Sequence, residues 1–140
     1  MFNTTVTLFN YDQKNDICYP TLLQKVELQP KYNTKFSSNS TDDKDLALLI
    51  VKYYIGTNGK TPYLSQKSYK TQKLWNKLSG EDKNNYFTFN TGLDFFVKGD
   101  YSSMLDVEYE TFKNQNDEVF FIHYGKDFED DLKHWEIEGY

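Results

Sequence analysis

The chain has 140 residues and a formal net charge of −5, and all 16 of its basic residues are lysine. That length supports one domain over residues 1–140 with one core, an aromatic content of 18% argues against a disordered chain, and an acidic surface without the arginine fork argues against a protein that grips phosphates. Cys18 is the only cysteine, which excludes an intramolecular disulfide and a thiolate metal cluster.

The first ten residues, M-F-N-T-T-V-T-L-F-N, carry neither a basic stretch nor a long apolar run, so no export signal is expected and folding in the cytoplasm of the producing cell is. No stretch of the sequence approaches the ~20 consecutive apolar residues of a membrane-crossing helix, and no membrane partner is expected. Thr5 to Phe9 alternates β-branched and apolar residues and predicts a first strand. After a polar connection from Asn10 to Asp16, a second strand is predicted with Leu22, Gln24, Val26 and Leu28 at period two, and Pro20 fits its beginning.

Pro30 to Asp45 has no apolar periodicity and is dense in turn-forming residues. It reads as a long mobile loop, either a solvated excursion or a segment that orders against a partner. Leu46 to Ile55 is the longest apolar run. Strand is favoured there over a helix spanning Asp45 to Lys52, because the Asn58-Gly59 turn signal returns the chain along Lys60 to Leu64. Thr71 to Gly80 predicts a short helix capped by Thr71, with Leu74 and Leu78 on one face, Gly80 past its end and Trp75 over the barrel mouth.

Tyr86 to Asp100, Y-F-T-F-N-T-G-L-D-F-F-V-K-G-D, reads as the central hairpin, with Asn90-Thr91-Gly92 as its turn and Phe87 and Phe89 on one face. A second helix is predicted from Ser103 to Phe112, with Leu105, Tyr109 and Phe112 on one side. Val119 to Tyr124 and His134 to Ile137 are the last two strands, joined by the acidic linker G-K-D-F-E-D-D-L-K. The expected fold is mainly β: a small antiparallel β-barrel with a long loop and one or two short helices.

Little in this pattern suggests reaction chemistry. His123 and His134 flank Asp127, Glu129, Asp130 and Asp131, but their spacing fits no common metal-ligand pattern, and packing is the expected role of both histidines. No nucleophile context surrounds Cys18 or any serine, and no glycine loop is set to cradle a phosphate. The expectation is a protein that is not an enzyme and has no metal or cofactor.

Three pieces in order resemble the small β-barrel head-to-tail connector proteins of long-tailed bacteriophages, the head-closure or stopper class. They are the T-V-T-L-F-N strand with its polar turn, the F-x-F-x-x-G-x-D-F-F-V-K-G-D segment from Phe87 to Asp100, and the closing H-W-E-I-E-G from His134 to Gly139. The extra length at Pro62–Asn85 and Ser103–Phe112 is similar to the minor-capsid-like variants of Gram-positive phages. The resemblance implies a ring of six or twelve copies in the virion neck, between a portal or adaptor and a tail terminator, with genomic DNA passing through the lumen without specific binding. It also implies that the loop between the second and third strands narrows the channel, which makes Tyr32, Asn33, Lys35, Phe36, Asp42 and Asp43 the candidate channel or assembly residues. The alternatives are a barrel that binds a peptide or small ligand, or another phage structural protein for tail completion or the minor capsid.

An acidic, arginine-free surface should bind linear duplex DNA no more tightly than about millimolar at ~150 mM salt. A band shift at micromolar protein under those conditions would contradict a passive conduit.

Overall fold

The computed structural model describes residues 2–31, 46–104, 111–112, 118–130 and 132–140. Their elements, in chain order, are β1 (Thr4–Asp12), β2 (Ile17–Lys31), β3 (Leu46–Gly56), β4 (Gly59–Pro62), β5 (Ser68–Tyr69), α1 (Gln72–Asn76), α2 (Gly80–Lys83), β6 (Tyr86–Phe87), β7 (Phe95–Lys98), β8 (Val119–Phe128) and β9 (His134–Gly139). Six of the strands, in the order β1-β7-β8-β9-β3-β2, close into an antiparallel barrel. This is the expected mainly-β fold, and the two helices are short.

Closure depends on β2, which serves two neighbours in succession. Its residues Ile17 to Val26 pair with β1, and Glu27 to Lys31 pair with β3. Between the pairs Val6↔Leu23 and Thr4↔Val26 the register slips by one residue, and Lys25 sits there with φ at 57°. Such a bulge bends a strand and increases its twist, which lets one long strand turn from one partner to the next. It also corrects the expected period: Leu23 and Val26 are both buried while Gln24 is exposed, so the inward set is not Leu22, Gln24, Val26 and Leu28.

The barrel interior holds Val6, Leu8, Leu23, Val26, Leu49, Val51, Phe96, Ile122, Trp135 and Ile137, all buried. An eight-stranded barrel is already just wide enough to be filled by side chains, and six strands enclose less. A second cluster lies outside the wall, because β1 and β7 bury both faces. Phe9, Phe95 and Val97 point away from the lumen and pack with Phe112, Val119 and Cys18. Phe9 stacks on Phe95 at 5.0 Å and meets Phe112 at 5.4 Å. Phe112 therefore packs on the barrel as expected, while most of the helix predicted from Ser103 to Phe112 lies outside the described residues.

Other boundaries differ from the sequence reading. Tyr86–Phe87 and Phe95–Lys98 do not form a hairpin: β6 pairs in parallel with β5, and β7 pairs with β1 and β8. Phe87 and Phe89 instead join Tyr69 and Trp135 in an aromatic group with centroids 5.2–6.0 Å apart. The expected loop from Pro30 begins later, since Pro30 and Lys31 pair with Ala47 and Leu46. The expected acidic linker is shorter as well, because β8 runs on to Phe128. Thr71 caps α1 by accepting from the Leu74 N–H, but the buried face is Trp75, and Leu74 is exposed. Gly80, expected to lie beyond the helix, starts α2 under a Ser79 cap.

The register also sets which segments share an end of the barrel. β2 and β3 last meet at Lys31↔Leu46, whereas β3 turns into β4 at Gly56. The 32–45 connection thus leaves one end, and the β3–β4 and β8–β9 turns sit at the other, roughly 30 Å away at the rise of a strand.

Gly139 is fixed by this packing. A Cβ there would lie 2.8 Å from Phe120 Cβ and 3.1 Å from the Phe121 carbonyl oxygen. Gly139→Ala should therefore cost about 1–3 kcal/mol in urea unfolding, and an unchanged midpoint would contradict the tight β8–β9 packing.

Candidate functional site

The two histidines are absorbed into the strands. His134 bonds the Leu132 carbonyl through Nδ1 at 2.6 Å and Glu136 through Nε2 at 3.0 Å, and its ring stacks on Phe128. Burial works against its charge, but the Leu132 and Glu136 contacts raise its pKa overall. His123 lies across from Glu138 at 3.5 Å and against Tyr140. No group of three or more His, Cys, Asp or Glu side chains among the described residues could hold a metal ion.

Two buried polar knots hold the barrel end. Asp94 accepts from the Tyr11 N–H at 2.9 Å, from the Asn90 N–H at 2.9 Å and from Asn10 Nδ2 at 2.7 Å. Asn10 in turn donates to the Thr88 carbonyl and accepts from the Thr88 N–H. One carboxylate and one amide thereby satisfy the backbone of the 88–94 segment that a strand pairing leaves open. Burial nevertheless pushes the Asp94 carboxyl up to about 7. In the second knot Lys83 of α2 donates to Asp12 at 2.8 Å, with its ammonium over the Trp75 ring. Asp12 also caps the turn through the Lys14 and Asn15 N–H groups. Burial opposes the Asp12 charge, but Lys83 and Asn15 hold its pKa below the ordinary value.

A third, partly buried group lies beside β4. Tyr53 donates to Asp127 at 2.5 Å, and Lys60 bridges Asp127 and Glu129. Burial and the Asp127 bond push the Tyr53 hydroxyl up to about 12. Burial works against the Lys60 charge, but the bonds to the two carboxylates raise its pKa overall. Nearby, Lys67 donates to the Pro20 carbonyl at 2.5 Å and to Thr21 Oγ1 at 3.1 Å, and burial brings it down to about 8. These groups lock segments together, and none is arranged as a nucleophile with a base.

One feature among the described residues that the fold does not use is apolar and exposed. At the β3–β4 end, Tyr54, Ile55, Tyr63 and Leu132 are 42%, 59%, 50% and 72% exposed, where soluble proteins keep bulky apolar side chains scattered. They line a shallow groove of about 250 Å³ with Lys52 and Lys133 beside it. Tyr54 and Tyr63 face each other at 5.4 Å. Ile55 continues the inward parity of Leu49, Val51 and Tyr53, but it stands beyond the barrel rim and has no core to enter. Sequence reading placed Tyr54, Ile55 and Tyr63 in a hairpin and Leu132 in the acidic linker, and assigned them no role. Their signal was an apolar side chain on both faces of the run Y-Y-I and again in Tyr63-Leu64. The expected channel residues Tyr32, Asn33, Lys35, Phe36, Asp42 and Asp43 lie outside the described residues.

Asp94 dictates a pH response. Its folded pKa is above the unfolded one, so folding takes up a proton between those values and its contribution to stability falls as pH rises from about 4 towards 7. Asp12 acts with the opposite sign, in the range below about 4. The urea midpoint of Asp94→Asn should vary less between pH 5 and pH 8 than that of the parent chain, with both unfolding cooperatively. Equal slopes would show that Asp94 is ionised throughout.

No curated protein and no solved structure matches the chain. Residues 1–140 match the family described as Family of unknown function (DUF6751), and with the whole chain covered it belongs to that family.

Proposed function

We propose that the chain is a structural protein of the neck of a long-tailed bacteriophage, assembled as a ring that joins the DNA-filled head to the tail. The observation that carries this reading is an exposed apolar groove at one end of a closed, filled barrel, opposite the end from which the chain leaves at Lys31 and returns at Leu46. A connector needs a partner on each side, whereas a barrel that holds a small ligand needs an open lumen, and this one is occupied by Leu8, Leu23, Phe96 and Trp135. The net charge of −5 and the lack of arginine suit a wall past which DNA slides without adhering. Ring contacts, the adaptor or portal above, and the tail terminator below belong to this reading, as does a virion location.

Deleting the gene from the phage that encodes it should leave filled heads and free tails that do not join, as seen by electron microscopy of the lysate. Replacing residues 32–43 by a short Gly/Ser connector should spare folding, since Lys31 and Leu46 keep their pairing, and should give heads that leak DNA or fail to join tails. Normal titres from the deletion would contradict the neck reading. Normal titres from the shortened variant alone would remove only the role of the loop.

A further inference from the structure

We propose that His134 is a proton-operated latch on the segment ahead of β9: its imidazolium ties the Leu132 carbonyl to Glu136, and loss of that proton frees Leu132, which forms part of the exposed groove. The latch is a property of the fold and does not depend on the neck reading. An acceptor faces each ring nitrogen, with the Leu132 carbonyl oxygen 2.6 Å from Nδ1 and Glu136 Oε2 3.0 Å from Nε2. Neither a carbonyl nor a carboxylate donates, and a neutral imidazole carries a single N–H. A neutral ring therefore serves one of the two partners and turns a lone pair towards the other. Both contacts are satisfied only when one further proton is held, on the ring or shared with Glu136.

The charges around the ring decide how firmly it keeps that proton. Burial works against it, while Leu132, Glu136 and then Asp127 of β8 favour it, and together they set its pKa above the ordinary 6.5. The Phe128 ring, stacked on the imidazole at 4.8 Å, also suits a cation, and Asp130 and Asp131, just before Leu132 in the sequence, add charge of the same sign as Glu136. Against them stand Lys52, opposite His134 on β3, Lys126, opposite Glu136 on β8, and Lys133 beside the ring in sequence. Lys60 of β4 is taken up by Asp127 and Glu129. A folded pKa above the unfolded one means that the latch is fully closed below the unfolded value and opens as pH rises through the folded value.

Which bond opens follows from the strength of each. A hydrogen bond to an ionised carboxylate is roughly twice as strong as one to a neutral carbonyl, so the single N–H of the neutral ring stays with Glu136 and the Leu132 carbonyl is released to water. Leu132 is 72% exposed, so little packing holds it once that bond is gone. The next carbonyl along, that of Lys133, still accepts from the Tyr53 N–H at 3.1 Å, which confines the release to the groove side of Lys133. Since Leu132 lines the groove with Tyr54, Ile55 and Tyr63, the apolar surface offered at this end changes with the protonation of one ring.

The test titrates the ¹⁵N-labelled full chain from about pH 5 to about pH 9, following the ring nitrogens of His134 and the backbone amides by NMR. The expected result is a His134 midpoint above 6.5, with the Leu132 and Lys133 amides shifting at the same midpoint and the heteronuclear NOE of Leu132 falling at the alkaline end. In Glu136→Gln the side-chain amide can donate to a neutral Nε2 while Nδ1–H keeps the Leu132 carbonyl. The Leu132 NOE should then hold its acid value throughout, with the rest of the spectrum reporting an unchanged fold. His123→Gln should leave the response at Leu132 as it is in the parent chain. Three results would overturn the proposal: a His134 midpoint at or below 6.5, Leu132 signals that do not follow that midpoint, or a Leu132 response that survives Glu136→Gln or disappears with His123→Gln.

Discussion

Everything in this protein depends on one strand belonging to two ladders. β2 can leave β1 and join β3 because its backbone gains a residue at Gln24–Lys25, and the positive φ of Lys25 turns the strand across the corner. A left-handed conformation at a lysine carries a modest steric cost, which the completed ladders and the burial of Leu23 and Val26 on either side of the bulge offset. Closure removes the open edges of the six barrel strands, and exposed sheet edges are what invite uncontrolled association. Among the described residues, an apolar groove beyond the rim is left as local contact surface.

The rim itself is held by polar groups. Asp94 and Asn10 tie the 88–94 segment to β1, and Asp12 and Lys83 tie α2 to the β1–β2 turn. Buried polar groups of this kind tolerate little deviation, since each lost partner leaves an unsatisfied donor or acceptor. They hold the irregular segments between β4 and β7 firmly against the barrel, although those segments contain only short regular elements. Trp75 completes the arrangement. Its indole N–H donates to the Tyr86 carbonyl, and its ring lies edge-on to Tyr19 and beneath the Lys83 ammonium.

How much of this was legible in the sequence follows from how local each signal is. The β3–β4 hairpin was readable, because the alternation of Ala47, Leu49, Val51 and Tyr53 and the Asn58-Gly59 turn are properties of adjacent residues. The Thr71 cap was readable for the same reason. The Tyr86–Asp100 hairpin was misread because its alternation is real but its partners are distant: β7 pairs with β1 and β8, and no nearby residue announces that. The bulge at Lys25 left no mark in composition, so the inward set of β2 shifted by one. Asp94 was invisible as a buried acid, since its burial depends on donors brought from Asn10 and Tyr11. The groove was partly written in the sequence, in apolar residues that continue on both faces after the barrel positions end.

The central claim is that this barrel acts through its ends and not through its interior. Hydroxyl-radical footprinting tests it most directly, comparing the purified chain with the same chain in the phage particles to which the proposed neck role would assign it. The account predicts strong protection of Tyr54, Tyr63 and Leu132 in the particle, with the buried Phe96, Ile122 and Trp135 unreactive in both states. Full reactivity of Tyr54, Tyr63 and Leu132 in the assembled state, or reactivity of Phe96 and Trp135 that a bound partner suppresses, would contradict it.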